Sequence, residues 1–96
     1  MRALVPDSVK SLGSRSFSDC SELATAIIGS RVTVLEGQTF SNCKKLQKVV
    51  LKSKYLSKIK WNAFFNCKSL MQFETARPMV EVEVDASAFK GCPRKF

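Results

Sequence analysis

Four phenylalanine–cysteine pairs recur at nearly equal intervals along the chain, and their spacing constrains the fold more than any other feature of the sequence. In each pair the cysteine follows the phenylalanine by three positions; the pairs are Phe17/Cys20, Phe40/Cys43, Phe64/Cys67 and Phe89/Cys92. Successive cysteines are 23, 24 and 25 residues apart. Other positions keep the same phase: a small residue directly before phenylalanine (Ser16, Thr39, Ala63, Ala88), an apolar residue five positions before it (Leu12, Leu35, Ile59, Val84), and in three copies a leucine three positions after cysteine (Leu23, Leu46, Leu70). So many positions in register predict a tandem repeat.

The repeat length and its apolar pattern predict a solenoid. A period of 20–29 residues is the range of leucine-rich repeats, whose strand frame is L-x-x-L-x-L. Residues 46–51 fit this frame closely, residues 23–28 and 70–75 fit it less well, and residues 3–5 are the tail of another copy. A polar turn and a returning V-x-x-[IL] segment follow each frame, except that the fourth copy is out of phase and places Glu81 between Val80 and Val82.

No single copy can close a core on itself, so the copies must stack, about one strand spacing (~4.8 Å) apart. We predict an α/β-type repeat solenoid of the leucine-rich-repeat kind. It should consist mostly of short parallel β-strands, one per 23–25-residue coil, with short return strands or helical turns. Residues 1–96 would form a single domain of about four imperfect repeats, with a brief helical turn near each Phe-x-x-Cys.

Residues that occupy the same position in successive repeats form a column, and most columns have a structural explanation. We expect the phenylalanines to form the spine of the core. The residues just before the cysteines are Asp19, Asn42, Asn66 and Gly91, which are typical of a tight bend. The cysteines allow three interpretations: buried free thiols, which we favour, disulfides between adjacent coils, or a metal site. The absence of close cysteine pairs and of histidine weighs against the metal site.

The combination of V-x-x-[IL], small-Phe-x-[Asn/Asp/Gly]-Cys-x-x-Leu and the strand frame resembles the BspA-type leucine-rich repeat. The resemblance covers essentially the whole chain, from about Ala3 to Cys92. It implies a right-handed solenoid used for adhesion and protein–protein contact, often on the surfaces of bacteria and parasitic protists. It also implies no shared catalytic residues.

The outward positions of the predicted strands form a candidate partner-binding face. Its columns are Arg2, Thr25, Lys48 and Gln72, then Leu4, Ile27, Val50 and Glu74, then Pro6, Gly29, Lys52 and Ala76. An apolar strip flanked by basic residues suits a protein partner with an apolar centre and an acidic rim. The alternative is that β-propensity alone selected Ile27 and Val50.

The net charge of +8 supports a second function, binding of nucleic acid or another polyanion. Eight lysines lie between positions 44 and 68: Lys44, Lys45, Lys48, Lys52, Lys54, Lys58, Lys60 and Lys68. The repeat spreads them around one coil, whereas nucleic acid needs a one-sided footprint. Tyr55 and Trp61 could stack on bases, but we expect Trp61 to pack on the return arm.

The sequence offers no sign of enzymatic activity. It contains no histidine and no glycine-rich phosphate loop, and its carboxylates are sparse and unpaired. We therefore predict no enzyme, no catalytic or metal-binding residues and no cofactor. The chain shows neither a signal-peptide core nor an apolar run of membrane-spanning length.

The compartment depends on whether the chain is part of something longer. The sequence by itself predicts a cytoplasmic protein, and the resemblance predicts a cell-surface or secreted one if the chain is a fragment. Neither end shows a polar cap. The chain is therefore expected to be a piece of a longer array or to pack its ends against another chain, which includes end-to-end self-association.

Overall fold

The chain winds into four stacked coils in a computed structural model that describes residues 1–94 and 96. We number the coils by the long strand with which each begins. The long strands are β1 (Arg2–Val5), β2 (Thr25–Ile28), β4 (Lys48–Leu51) and β6 (Gln72–Thr75). The return strands are β3 (Val34–Leu35), β5 (Lys58–Ile59) and β7 (Glu83–Val84). The predicted architecture of one short parallel strand per coil, with short return strands, is confirmed.

The long strands form a four-stranded parallel sheet, here the first sheet, in the order β1-β2-β4-β6. Its register is that of the repeat, so that Leu4 pairs with Ile27, Ile27 with Val50 and Val50 with Glu74. Along β2 and β4, buried residues alternate with half-buried ones. This alternation follows from the twofold period of a strand with one face against the core.

The return strands form a second parallel sheet in the order β3-β5-β7. A single bridge between Leu12 and Leu35 extends its pairing into the first coil. The column of Leu12, Leu35, Ile59 and Val84 thus becomes the inward row of the second sheet, facing the inward row of the first.

A ladder of backbone hydrogen bonds closes the third side of each coil. The amides of Phe17, Phe40 and Phe64 donate to the carbonyls of Thr39, Ala63 and Ala88 in the next coil, at 2.7–2.8 Å. Asp19, Asn42 and Asn66 donate in the same way to Ser41, Phe65 and Lys90. The backbone groups of this tight corner are therefore satisfied between coils, which a corner without regular secondary structure requires.

The phenylalanine column is the spine of the core, as predicted. The rings of Phe17, Phe40, Phe64 and Phe89 stack with centroids 5.2–5.3 Å apart and planes within 4° of parallel. Phe40 and Phe64 are fully buried, among leucine, isoleucine and valine from both sheets. The nearly constant ring spacing shows that equivalent phenylalanines stack in the same way at each step from one coil to the next.

The expected helical turn near Phe-x-x-Cys is wrong. That corner consists of successive tight turns, and residues such as Asp19 and Asn42 adopt positive φ of 59° and 60°, which interrupts a right-handed helix. The one helical segment among residues 1–94 and 96 is a 3-10 turn at Met79–Glu81. It absorbs the extra residue of the fourth repeat, so that Val82 is buried while Val80 is 95% exposed.

Candidate functional site

The structure brings the predicted face together on the outer side of the first sheet. Arg2, Thr25, Lys48 and Gln72 form one outward row by strand register, and Leu4, Ile27, Val50 and Glu74 form the next. The side chain of Leu4 is 63% exposed, and those of Ile27 and Val50 are half-buried. An apolar strip therefore crosses three coils and ends at a carboxylate on the fourth.

The charges around this strip are partly paired. The ammonium of Lys48 on β4 lies 3.6 Å from a carboxylate oxygen of Glu74, its diagonal neighbour on the adjacent strand β6. Arg2, the first residue of β1, and Lys52, directly after the end of β4, are both exposed. The outer side of the first sheet thus presents an apolar centre, two exposed cations and one ion pair.

The third predicted column lies at the turn and does not extend the flat face. Gly29 is buried, and a Cβ atom on it would lie 2.5 Å from the carbonyl oxygen of Pro6. This close backbone approach explains why glycine occupies a position that other coils fill with proline, lysine or alanine. Of this column, Lys52 is exposed and lies beside the strip, directly after β4.

The sequence model of the BspA type leucine-rich repeat region matches residues 3–95 of the chain, in six copies. The chain belongs to this family. The strands, the register and the phenylalanine and cysteine columns described above are the form that the repeat takes here.

A solved structure has the same fold as this BspA-type chain. It is the crystal structure of a leucine rich cell surface protein from Faecalibacterium prausnitzii A2-165, with a TM-score of 0.70 and 21% sequence identity. The alignment covers 88% of the present chain and 29% of that protein. The chain therefore spans less than a third of the length of the protein that it resembles. A search of curated proteins found no match to the sequence.

The cysteine column of this BspA-type repeat consists of free thiols that face the neighbouring coil. The Sγ atoms of Cys43, Cys67 and Cys92 donate to the carbonyl oxygens of Phe17, Phe40 and Phe64, at 3.0–3.1 Å. Burial raises the pKa of Cys43 to about 11. Hydrogen bonding with the Cys92 side chain, together with burial, raises the pKa of Cys67 as well. Thiolate, the nucleophilic form, is therefore disfavoured at both inner positions.

No group of three or more metal-ligating side chains occurs among residues 1–94 and 96. Within the same residues, no helix has the length and apolar character needed to cross a membrane.

Half of the eight clustered lysines are paired with glutamates across coils, a relationship that the sequence interpretation missed; one is Lys48, described above. Lys45 lies 3.3 Å from Glu22, Lys60 lies 2.9 Å from Glu36, and Lys58 lies 3.9 Å from Glu83. The partners are 23, 24 and 25 residues apart, the spacing of the repeat. That spacing was the signal that could have identified them.

Trp61 packs on the return arm, as predicted. Its indole lies over Gly37, where a Cβ atom would come within 2.5 Å of Cε2 of the ring. The buried glycine thus makes room for the ring, and Trp61 remains 49% exposed. Tyr55 is 66% exposed at a turn.

Aromatic side chains, and not a polar cap, cover the ring stack at the fourth coil. Phe96 packs against Phe73 and Phe89, with ring centroids 5.1 and 5.4 Å away. Phe73 occupies the inward position that Ala26 and Val49 hold in the coils before it, and its ring meets Phe64 and Phe89 edge to face. Large aromatic side chains therefore cover the last ring of the phenylalanine stack.

Proposed function

We propose that the chain is a protein-interaction module of the adhesion type, and that it binds a protein partner through the apolar strip of Leu4, Ile27 and Val50. The observation that carries the proposal is the exposure of an in-register apolar row on a flat parallel sheet. The core requires only the inward row, so packing against the core does not explain why three outward residues in register are apolar.

The surroundings of the strip indicate the chemistry of the partner. Arg2, Lys48 and Lys52 lie beside it, so a partner with an apolar centre and an acidic rim would be complementary. The face is also rigid, because all four of its strands are hydrogen-bonded to the strand of a neighbouring coil. A rigid face loses little conformational entropy on binding.

Display at the cell surface is part of the proposal. The structurally similar protein from Faecalibacterium prausnitzii is described as a leucine rich cell surface protein. Membership of the BspA-type leucine-rich repeat family supports an interaction role in general, without naming a partner. The proposal assigns no catalytic role and no cofactor.

Site-specific photocrosslinking would test the face. A photoreactive residue at position 27 should form adducts with a partner from a surface-protein extract, and excess unlabelled wild-type chain should suppress them. The double variant Ile27→Thr/Val50→Thr should compete poorly, since threonine keeps the β-branched shape but removes apolar surface.

A matched control uses Val34, which is also half-buried and outward-facing but lies on the second sheet. Val34→Thr should compete as well as wild type. Two results would exclude the first sheet as the binding face. One is that adducts form equally from positions 27 and 34, and the other is that the Ile27/Val50 double variant suppresses adducts as fully as wild type does.

A further inference from the structure

One column of the solenoid places two lysines directly above one another with no carboxylate between them. Lys44 and Lys68 each follow the cysteine of their coil, and both are exposed. Neither forms an ion pair with any residue in the described part of the chain, which is also true of Lys52 and Lys54, whereas Lys45, Lys48, Lys58 and Lys60 each pair with a glutamate. Lys44 and Lys68 lie in the turns that precede β4 and β6, and two like charges stacked there repel each other. The stability of the fold therefore does not account for this pair.

The backbone holds the two lysines in this arrangement. The Oγ of Ser69 donates to the carbonyl of Lys44 at 2.8 Å, which ties the third coil to the second at this column. The residues two positions earlier, Asn42 and Asn66, have positive φ of 60° and 57° and are hydrogen-bonded through their amides to the next coil. Only the flexible stems of the lysines can move apart.

Hydrogen-bonding groups lie beside the lysines in a shallow groove of about 410 Å³, lined by Asp19, Ser21, Asn42, Lys44, Asn66 and Lys68. The Nδ2 of Asn66 donates to the Oδ1 of Asn42 at 3.3 Å. Each carboxamide NH₂ carries two hydrogens, so at least one on each asparagine remains for a ligand. Ser21 can donate and accept, and Asp19 can accept.

We propose that this groove binds an acidic glycan. A sulfate or carboxylate group of the glycan would contact the ammonium groups of Lys44 and Lys68, and neighbouring glycan hydroxyls would hydrogen-bond to the asparagine, serine and aspartate side chains. Two ammonium groups one coil apart match one oxyanion, which removes their mutual repulsion on binding. The carboxylate of Asp19 favours a ligand with discrete charges separated by hydroxyls over a continuous phosphate chain.

Single-stranded nucleic acid fits the groove less well. Sequence-independent binding of single strands uses aromatic side chains on which bases stack, and the groove lining contains none within the described residues. The site also lies on a different side of the coil from the apolar strip. It does not depend on the proposed protein-binding function, and failure of one leaves the other standing.

Titration calorimetry with a heparin tetrasaccharide tests the site. Binding to wild type should weaken at least about tenfold in Lys44→Gln/Lys68→Gln, and the slope of log K against log salt should fall by about two. The matched control is Lys45→Gln/Lys58→Gln, which removes the same charge from two lysines paired with glutamate. This control should bind within about threefold of wild type.

Each other outcome overturns the proposal. Equal weakening in the two double variants would mean that affinity follows net charge alone. Absence of tetrasaccharide binding, or binding of an oligothymidylate in preference to it, would exclude an acidic glycan. Thermal unfolding separates loss of fold from loss of site: removing the Lys44–Lys68 repulsion should leave the midpoint unchanged or raise it, so reduced binding with an intact transition supports the site.

Discussion

The Sγ atom of Cys67 lies 3.1 Å from the carbonyl oxygen of Phe40, one coil earlier in the chain. The same contact joins Cys43 to Phe17 and Cys92 to Phe64. The cysteine column is thus a ladder of weak hydrogen bonds between coils, next to the stack of rings.

The stability of the protein should depend on alkaline pH through its buried thiols. The ordinary pKa of a cysteine thiol is 9.0, and burial raises that of Cys43 to about 11. The folded state holds the proton more tightly, so this stabilisation is complete below pH 9 and is lost as the pH rises through 11. Denaturant titrations at pH 8, 10 and 11 would measure the loss. Cys43→Ser should show a shallower decline over this range, and an identical decline would contradict the assignment.

Truncating the inner ring Phe40 should be costly. It stacks between Phe17 and Phe64 and is fully buried, so Phe40→Ala should lower the free energy of unfolding by about 3–5 kcal/mol. Phe17→Ala should cost less, because Phe17 stacks on one side only and is half-buried. Urea denaturation of both variants checks the order. Equal losses would argue against the stack as the spine of the core.

Gly29 and Gly13 should respond differently to the same substitution. A Cβ atom at Gly29 would lie 2.5 Å from backbone oxygen, so Gly29→Ala forces the first two coils apart and should cost about 1–3 kcal/mol. At Gly13 the nearest atom would be 3.7 Å away, so Gly13→Ala should be neutral or stabilise by up to about 1 kcal/mol. Differential scanning calorimetry should show a lower unfolding midpoint for Gly29→Ala and an unchanged or higher one for Gly13→Ala. Equal midpoint shifts in the two variants would contradict the prediction.

The Lys60–Glu36 ion pair should contribute more than the Lys45–Glu22 pair. It is shorter, 2.9 against 3.3 Å, and its side chains are less exposed. Lys60→Gln should cost about 1 kcal/mol and Lys45→Gln about 0.3 kcal/mol. Both effects should shrink in 1 M salt. Equal losses of unfolding free energy at low salt would show that the difference in solvent exposure does not determine how much each pair contributes to stability.

Much of the fold could be predicted because one-dimensional spacing becomes three-dimensional stacking in a repeat. The spacing of the repeat in sequence predicts that the ring of Phe40 stacks on that of Phe64. The same spacing predicts that Ile27 pairs in register with Val50. Exposure was also predictable there, since strand residues alternate between faces. What could not be predicted were features that break the repeat.

The fourth coil shows why such features were missed. Two valines flank Glu81, and only the 3-10 turn decides that Val82 is the buried one. Phe96 lies beyond the last copy of the motif, so no column predicts its contact with Phe89.

The groove at Lys44 and Lys68 was visible in the sequence as two lysines in one column. Its significance required knowing which of the clustered lysines have glutamate partners in the adjacent coil.

The uniform spacing of the phenylalanine rings also bears on how such a protein can change its length. Each stacked interval between Phe17 and Phe89 is the same to within 0.1 Å, so an extra copy of the second or third repeat, inserted between them, would meet matching neighbours above and below. Gene duplication could therefore lengthen the array one coil at a time inside the chain. The bulky Phe73 makes the fourth coil a poor template for the same event, which favours growth from the middle of the array.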